Sequence, residues 1–225
     1  MNYYSQKLSA NRLREVYQTE ILAVSAYLDS EIAFVKERLK SYDRVLELGA
    51  GYGRVMKELA PQCRTITGID ISAANIAYGK SYLKDVPNAQ LILMDAQTIG
   101  IGSFSLPYDV ILCMQNALSA MKVEPYAYIR QMMELLYPGG QAYISTYCEG
   151  FWEHRLAWFG EQSAKGLLGE LDLEQSKDGV IVCKDGFRSY SHTAEQLAEL
   201  GSSSGYPYEI HEVAASSLFL VISKT

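Results

Sequence analysis

The 225-residue sequence lacks the features that mark several large classes of protein. No apolar run reaches the roughly 20 residues that a membrane-spanning helix needs. The opening MNYYSQKLSANRLREVY is polar and mixed in charge, without the apolar centre of a signal peptide, so a cytoplasmic protein with no membrane partner is expected. Only four cysteines occur, Cys63, Cys113, Cys148 and Cys183, and none falls at a paired spacing. That excludes a disulfide framework and a zinc site and leaves core thiols in a reducing compartment. Basic residues are in the minority, 20 against 26 acids, and form no block that could track phosphates, so a nucleic-acid partner is not expected. Internal repeats and low-complexity linkers are also missing. With 48% hydrophobic residues, the chain can bury one sizeable core, which predicts a single domain over 1–225.

What is present has two rhythms. From Ser9 to Lys40 two helices are expected, with Leu28, Ile32, Val35 and Leu39 on one face. Then short β-type runs follow, RVLEL, TITGIDI, QLILMD, YDVILCM and QAYISTY, each bounded by Gly, Pro, Asp or Asn. Helical segments lie between them at Tyr52 to Pro61, Ala73 to Lys84 and Pro125 to Leu136, the last closed by Pro138 to Gly140. Alternating strands and helices, with continuous apolar strands, predict an α/β fold whose mostly parallel sheet carries helices on both faces. After a helix near Thr193 to Leu200, YEIHEVAA and SLFLVISKT are too close for a crossover and must pair antiparallel.

Between Arg44 and Val55 the sequence reads RVLELGAGYGRV, with Gly49, Gly51 and Gly53 directly behind the first strand. Three glycines in five positions weaken a backbone, so the chain there must turn tightly or touch something. In an open parallel sheet that loop lies at the crevice where ligands bind. A dinucleotide site wants GxGxxG, and Arg54 stands where its last glycine is due. The pattern is ExGxGxG, with Glu47 as its acid.

This pattern resembles the class I S-adenosylmethionine-dependent methyltransferases, over about Arg44 to Thr225. The resemblance implies a seven-stranded sheet with an antiparallel last strand and S-adenosyl-L-methionine as cofactor. It places Asp70, ending the second strand, on the ribose hydroxyls, where a carboxylate offers two acceptor oxygens. Ile71 would pack on the adenine face, Asp95 would take the adenine amino group and the Ala96 N–H a ring nitrogen. Backbone carbonyls at Met114 and Gln115 would hold the methionine ammonium. The alternative for Glu47, Asp70 and Asp95 is a helix cap, a turn acid or a solvated charge. Replacing Asp70 at a solvent-accessible strand end is expected to weaken cofactor binding without lowering the melting temperature.

The implied chemistry is an in-line methyl transfer that needs mainly positioning and desolvation of the nucleophile. After the fourth strand the sequence reads QNALSAM rather than the Asn/Asp-Pro-Pro-aromatic motif of the family's amide and base methylators, which counts against DNA and protein-amide substrates. No acidic cluster for a metal is seen there. A small-molecule substrate is therefore expected, with the nucleophile ranked nitrogen, then oxygen, then sulfur, acting on a monomer or homodimer. Residues 1–40 are expected to form a helical cap, and 148–192 a substrate lid inserted before the last helix.

Within that insert, EGFWEHRLAWFGEQ reads as a helix with Trp152, Leu156 and Phe159 on one face and His154 and Trp158 on the other. Asn116, Trp152, His154, Arg155 and Trp158 are the candidate substrate contacts. His154 is either a general base or a packing residue; Arg155 either holds a substrate anion or makes a surface ion pair. His192 and His211 read as strand or cap residues. Two other functions remain open from the sequence: an NAD-dependent oxidoreductase, and a cofactor-binding module without turnover.

Overall fold

The computed structural model describes residues 7–225, so the first six residues of the expected cap lie outside the described residues. Two helices open the chain, α1 (Asn11–Val16) and α2 (Leu22–Lys36). The expected stripe on α2 is buried at Leu28, Ile32 and Val35, while Leu39 lies beyond the helix end.

Next come β1 (Arg44–Leu48), α3 (Arg54–Leu59), β2 (Thr65–Asp70), α4 (Ala73–Tyr82), β3 (Ala89–Leu93) and β4 (Tyr108–Cys113). They are followed by α5 (Ala117–Met121), α6 (Pro125–Glu134) and β5 (Leu136–Tyr147). The chain then forms α7 (Trp152–Ala164), the short strands β6 (Val180–Val182) and β7 (Arg188–Tyr190), α8 (Ala194–Ser203), β8 (Tyr208–Val213) and β9 (Ser217–Ser223).

The main sheet has seven strands in the order β3-β2-β1-β4-β5-β9-β8. All pairs among β3, β2, β1, β4 and β5 are parallel, and β9 runs antiparallel to both β5 and β8. The last strand is thus antiparallel, as expected. Its side chains separate by parity: Leu218, Leu220 and Ile222 enter one core, Phe219 and Val221 the other. In β4, Ile111 and Cys113 face the first core and Val110 and Leu112 the second. Helices α6 and α8 cover the first face; α3, α4 and the second half of α2 cover the other. Each large apolar side chain taken fully inside contributes about 1.5–3 kcal/mol, which explains why the central strands are unbroken apolar runs. All four cysteines are free and buried. Among the described residues, no helix is long and apolar enough to cross a membrane.

Two boundaries differ from the sequence reading. The helix expected from Tyr52 starts at Arg54, because Gly53 stands at φ +88°, outside helical conformation. The segment Leu136 to Gly140, expected to end a helix, belongs to β5. Leu136 pairs with Tyr108, the register then shifts, and the Gly139 N–H donates to the Lys224 carbonyl at 2.6 Å. The β6–β7 hairpin was not anticipated, since three-residue strands leave almost no periodic signal; Asp185-Gly186 at its turn is the one cue.

Candidate active site

The carboxyl ends of β1, β2 and β4 open into one cavity, and the glycine loop forms its floor. Gly49 and Gly51 line it with φ of +72° and +57°, the left-handed region that favours glycine. A Cβ on Gly51 would come within 2.9 Å of Leu13 Cδ2, so this glycine also lets the N-terminal segment lie against the loop. Gly53 does not line the cavity. It sets the entry to α3, and a Cβ there would meet Leu83 at 2.6 Å.

Asp70, Ile71, Asp95, Ala96, Met114 and Gln115 all line the same cavity. Asp70 does two jobs that the sequence reading treated as alternatives. One oxygen accepts from the Ser72 N–H at 2.8 Å and the Asn75 amide at 3.1 Å, and the other from the Gly51 N–H at 3.0 Å. It is therefore a turn acid that also faces the cavity, and its removal would leave three donors without their acceptor. Burial pushes its carboxyl above the usual range, against those three donors. Asp95 likewise caps the turn after β3, accepting from the Gln97 N–H at 2.9 Å.

The loop after β4 is held in an unusual shape. Gln115 and Asn116 are consecutive non-glycine residues at φ +55° and +61°. Glu31 of α2, fully buried, accepts from the Gln115 N–H at 3.1 Å, and Ser145 Oγ takes the same N–H at 2.7 Å. Burial raises the Glu31 carboxyl to about 7, although Ser145 and that N–H pull it down.

Several buried polar atoms in the cavity wall have no hydrogen-bond partner: Glu47 Oε2, Arg54 Nε and Nη2, and Gln115 Nε2. Such groups are rare in folded proteins and mark a place where a ligand completes the bonding. The Arg54 guanidinium lies 4.4 Å from the centroid of the Tyr17 ring. Burial lifts Glu47 to about 8, with Arg54 opposing the rise and Asp70 adding to it. Arg54 figured in the sequence only as the residue that spoils a dinucleotide pattern, and nothing local announced that it faces the cavity.

Tyr147, Trp158, Phe159, Phe187 and Ser189 wall the cavity on another side, and Tyr17 lines it beside Arg54. Trp158 Nε1 donates to the Val16 carbonyl at 3.0 Å, which fastens α7 to the N-terminal segment. Three candidate contacts lie elsewhere. His154 is exposed and rests against Phe151, at 5.4 Å between ring centroids. Trp152 does not line the cavity. Arg155 is neither at the surface nor at the cavity: it is buried, donates to the Gly179 carbonyl at 2.7 Å and the Ser189 carbonyl at 3.1 Å, and packs 4.5 Å from the Tyr147 ring centroid. Asn116 lines the cavity, but its amide is engaged. It accepts from Thr146 Oγ1 at 2.9 Å and donates to the Tyr190 carbonyl at 2.9 Å, stitching β7 to the loop after β4. Trp158 remains as a wall residue.

The methyltransferase domain family matches residues 45–140, the stretch that holds the glycine loop, Asp70, Asp95 and Gln115. That stretch is similar to the methyltransferase domain family, which supports the resemblance to the class I S-adenosylmethionine-dependent methyltransferases. A ubiquinone biosynthesis O-methyltransferase of Pseudomonas fluorescens is 27% identical over 104 residues, which are 46% of this chain and 44% of that protein. The chain thus aligns with less than half the length of that relative. Two solved structures share the fold. An N-methyltransferase, NodS, from Bradyrhizobium japonicum in complex with S-adenosyl-L-homocysteine has TM-score 0.60 at 12% identity, covering 100% of this chain and 99% of NodS. A complex of DhpI with S-adenosylhomocysteine has TM-score 0.63 at 15% identity, covering 98% and 95%. The unpartnered groups around the glycine loop fit the family's cofactor chemically: an unpaired guanidinium suits a carboxylate and unpaired acid oxygens suit an ammonium and ribose hydroxyls.

Proposed function

We propose that this methyltransferase acts on a small-molecule nucleophile enclosed within the fold. The observation that carries the reading is the continuity of the cavity, from the glycine loop and its unpartnered charges to an aromatic end roofed by the N-terminal segment and 148–192. Those two segments act as cap and lid of a single unit. Supporting contacts tie them together: Thr19 Oγ1 with Glu161, Lys165 with the Gln18 carbonyl at 2.6 Å, and Arg12 with the Gly166 carbonyl at 2.6 Å.

When bound, the cofactor supplies a sulfonium methyl group open to displacement. Asp70 and Asp95 hold its ribose and adenine, Ile71 packs on the adenine face, and the Ala96 N–H faces the ring. Arg54 takes the methionine carboxylate, and the carbonyls at Met114 and Gln115, with Glu47, take the ammonium. Glu31 holds the Gln115 backbone in the left-handed shape that aims those carbonyls. The aromatic end excludes water and positions the nucleophile, which is where most of the rate is gained. Among the described residues, no histidine lines the cavity, so His154 is not retained as base.

The test is transfer of a tritiated methyl group into a cell extract, followed by fractionation. Label in metabolites of low mass supports the reading. Label in protein or nucleic acid, or none at all despite bound cofactor, overturns it in favour of a macromolecular substrate or a binding module.

A further inference from the structure

The cavity wall carries a polar side chain whose bonding is unexplained. Gln162, on α7, is 4% exposed, lines the cavity, and makes no side-chain hydrogen bond among the described residues. A buried primary amide offers two donors and an acceptor, and leaving all of them unused is costly. Two other polar side chains that line the cavity are engaged: Asn116 by Thr146 and Tyr190, and Ser189 Oγ by Arg155 at 3.1 Å. The amide is thus directed at something that enters the cavity.

The surroundings restrict what that is. Trp158 and Phe159 meet edge to face at 6.2 Å and 70°, and Phe159 and Phe187 are tilted at 5.9 Å and 36°. Tyr147 closes another side. Walls of this kind favour a flat apolar body held by ring contacts. Charge is disfavoured in both signs. A cationic ligand against Tyr147 would meet the Arg155 guanidinium packed on that ring, and Arg155 itself is committed to the carbonyls of Gly179 and Ser189. Among the described residues, the one guanidinium or ammonium lining the cavity is Arg54, beside Tyr17 and assigned to the cofactor carboxylate, so an anionic ligand finds no second cation there.

We propose that the aromatic end binds an uncharged planar ring bearing a hydroxyl or amino group, a phenol or aromatic amine, with the Gln162 amide as its polar anchor. This rests on the cofactor occupying the glycine-loop end, and it narrows the nucleophile to the oxygen or nitrogen carried by that ring. Gln162 selects among ring compounds by bonding the substituent, and the aromatic walls select rings over chains.

The test uses the full chain saturated with S-adenosylhomocysteine and four probes of one shape: 4-ethylphenol, ethylbenzene, phenethylammonium and 4-ethylphenyl phosphate. Affinities come from ligand-detected NMR titration. The expected order puts 4-ethylphenol first, about fivefold to tenfold tighter than ethylbenzene, with both charged probes weaker still. In Gln162→Leu the phenol falls to the ethylbenzene level while ethylbenzene and S-adenosylhomocysteine affinities stay within about twofold. Gln162→Met serves the same purpose if the leucine variant does not fold. A charged probe binding tightest, or a phenol preference that survives both variants, overturns the proposal. Failure of S-adenosylhomocysteine to bind the wild type instead overturns the cofactor placement, so the two outcomes are distinguishable.

Discussion

The two ends of the cavity are built by different means. The cofactor end comes from consecutive strand ends within one half of the chain, and its groups are backbone, glycine, the acids Glu47, Asp70 and Asp95, and Arg54. The substrate end draws Tyr147, Phe159, Gln162 and Phe187 from three separate elements and turns, and its groups are large side chains. The first is a local arrangement fixed by β–loop–α geometry; the second exists only once the N-terminal segment, α7 and the β6–β7 hairpin have packed together. A lesion at one end should therefore leave the other intact, and variants can break that separation.

The largest effect is expected at Arg54. Arg54→Leu removes the cation assigned to the cofactor carboxylate, and truncating one partner of a buried charge pair costs about 2–5 kcal/mol. Calorimetry should show S-adenosylhomocysteine binding weakened by roughly 30-fold or more. The unliganded protein should not lose stability, since its guanidinium has two unpartnered nitrogens buried. A fall in melting temperature with unchanged affinity would make Arg54 a packing residue.

Asp70→Ala should weaken S-adenosylhomocysteine at least about tenfold. It should also lower stability by roughly 1–3 kcal/mol, because the Gly51 and Ser72 N–H groups and the Asn75 amide lose their acceptor. Thermal melting and titration on the same variant separate the two roles.

Glu47 gives a pH signature at the cofactor end alone. Its carboxyl stands at about 8 when folded against an ordinary value of 4.5. Between those values the unfolded chain gives up its proton first, so the folded state holds more protons and stability falls as pH rises from about 4.5 to 8. Glu31 adds to the same slope up to about 7. Glu47→Gln removes its share: the unliganded variant should match the wild type near pH 4.5 and exceed it by about 1–3 kcal/mol at pH 8. Its cofactor affinity should fall. Parallel stability curves for the two proteins across that range would contradict the assignment.

The smallest effect is expected at His154. His154→Ala should leave transfer rates within about twofold, as for other exposed substitutions. A loss of hundredfold would return it to the reaction.

The same contrast decides how much the sequence discloses. The mostly parallel sheet, the antiparallel β9 and the placing of Asp70 and Asp95 at the carboxyl ends of their strands were legible, because strand ends, glycines and acids recur at short fixed spacings. The substrate end was legible only as a region. The expected faces of α7 were wrong in detail: its buried residues are Arg155, Trp158, Phe159 and Gln162, two of them polar, so a hydrophobic pattern could not find that stripe. Arg155 and Gln162 are inside because the β6–β7 hairpin and a ligand cavity lie against them, and neither is encoded within the helix. Arg54 was missed for the opposite reason, being adjacent to the motif but defined by the direction of its side chain.

The account stands most directly on what the glycine-loop end binds. Calorimetric titration of the wild-type protein with S-adenosylhomocysteine and, separately, with NADH decides it. The prediction is saturable S-adenosylhomocysteine binding at one site per chain and no NADH binding. Saturable NADH binding without S-adenosylhomocysteine binding would contradict the cofactor assignment and every residue role built on it.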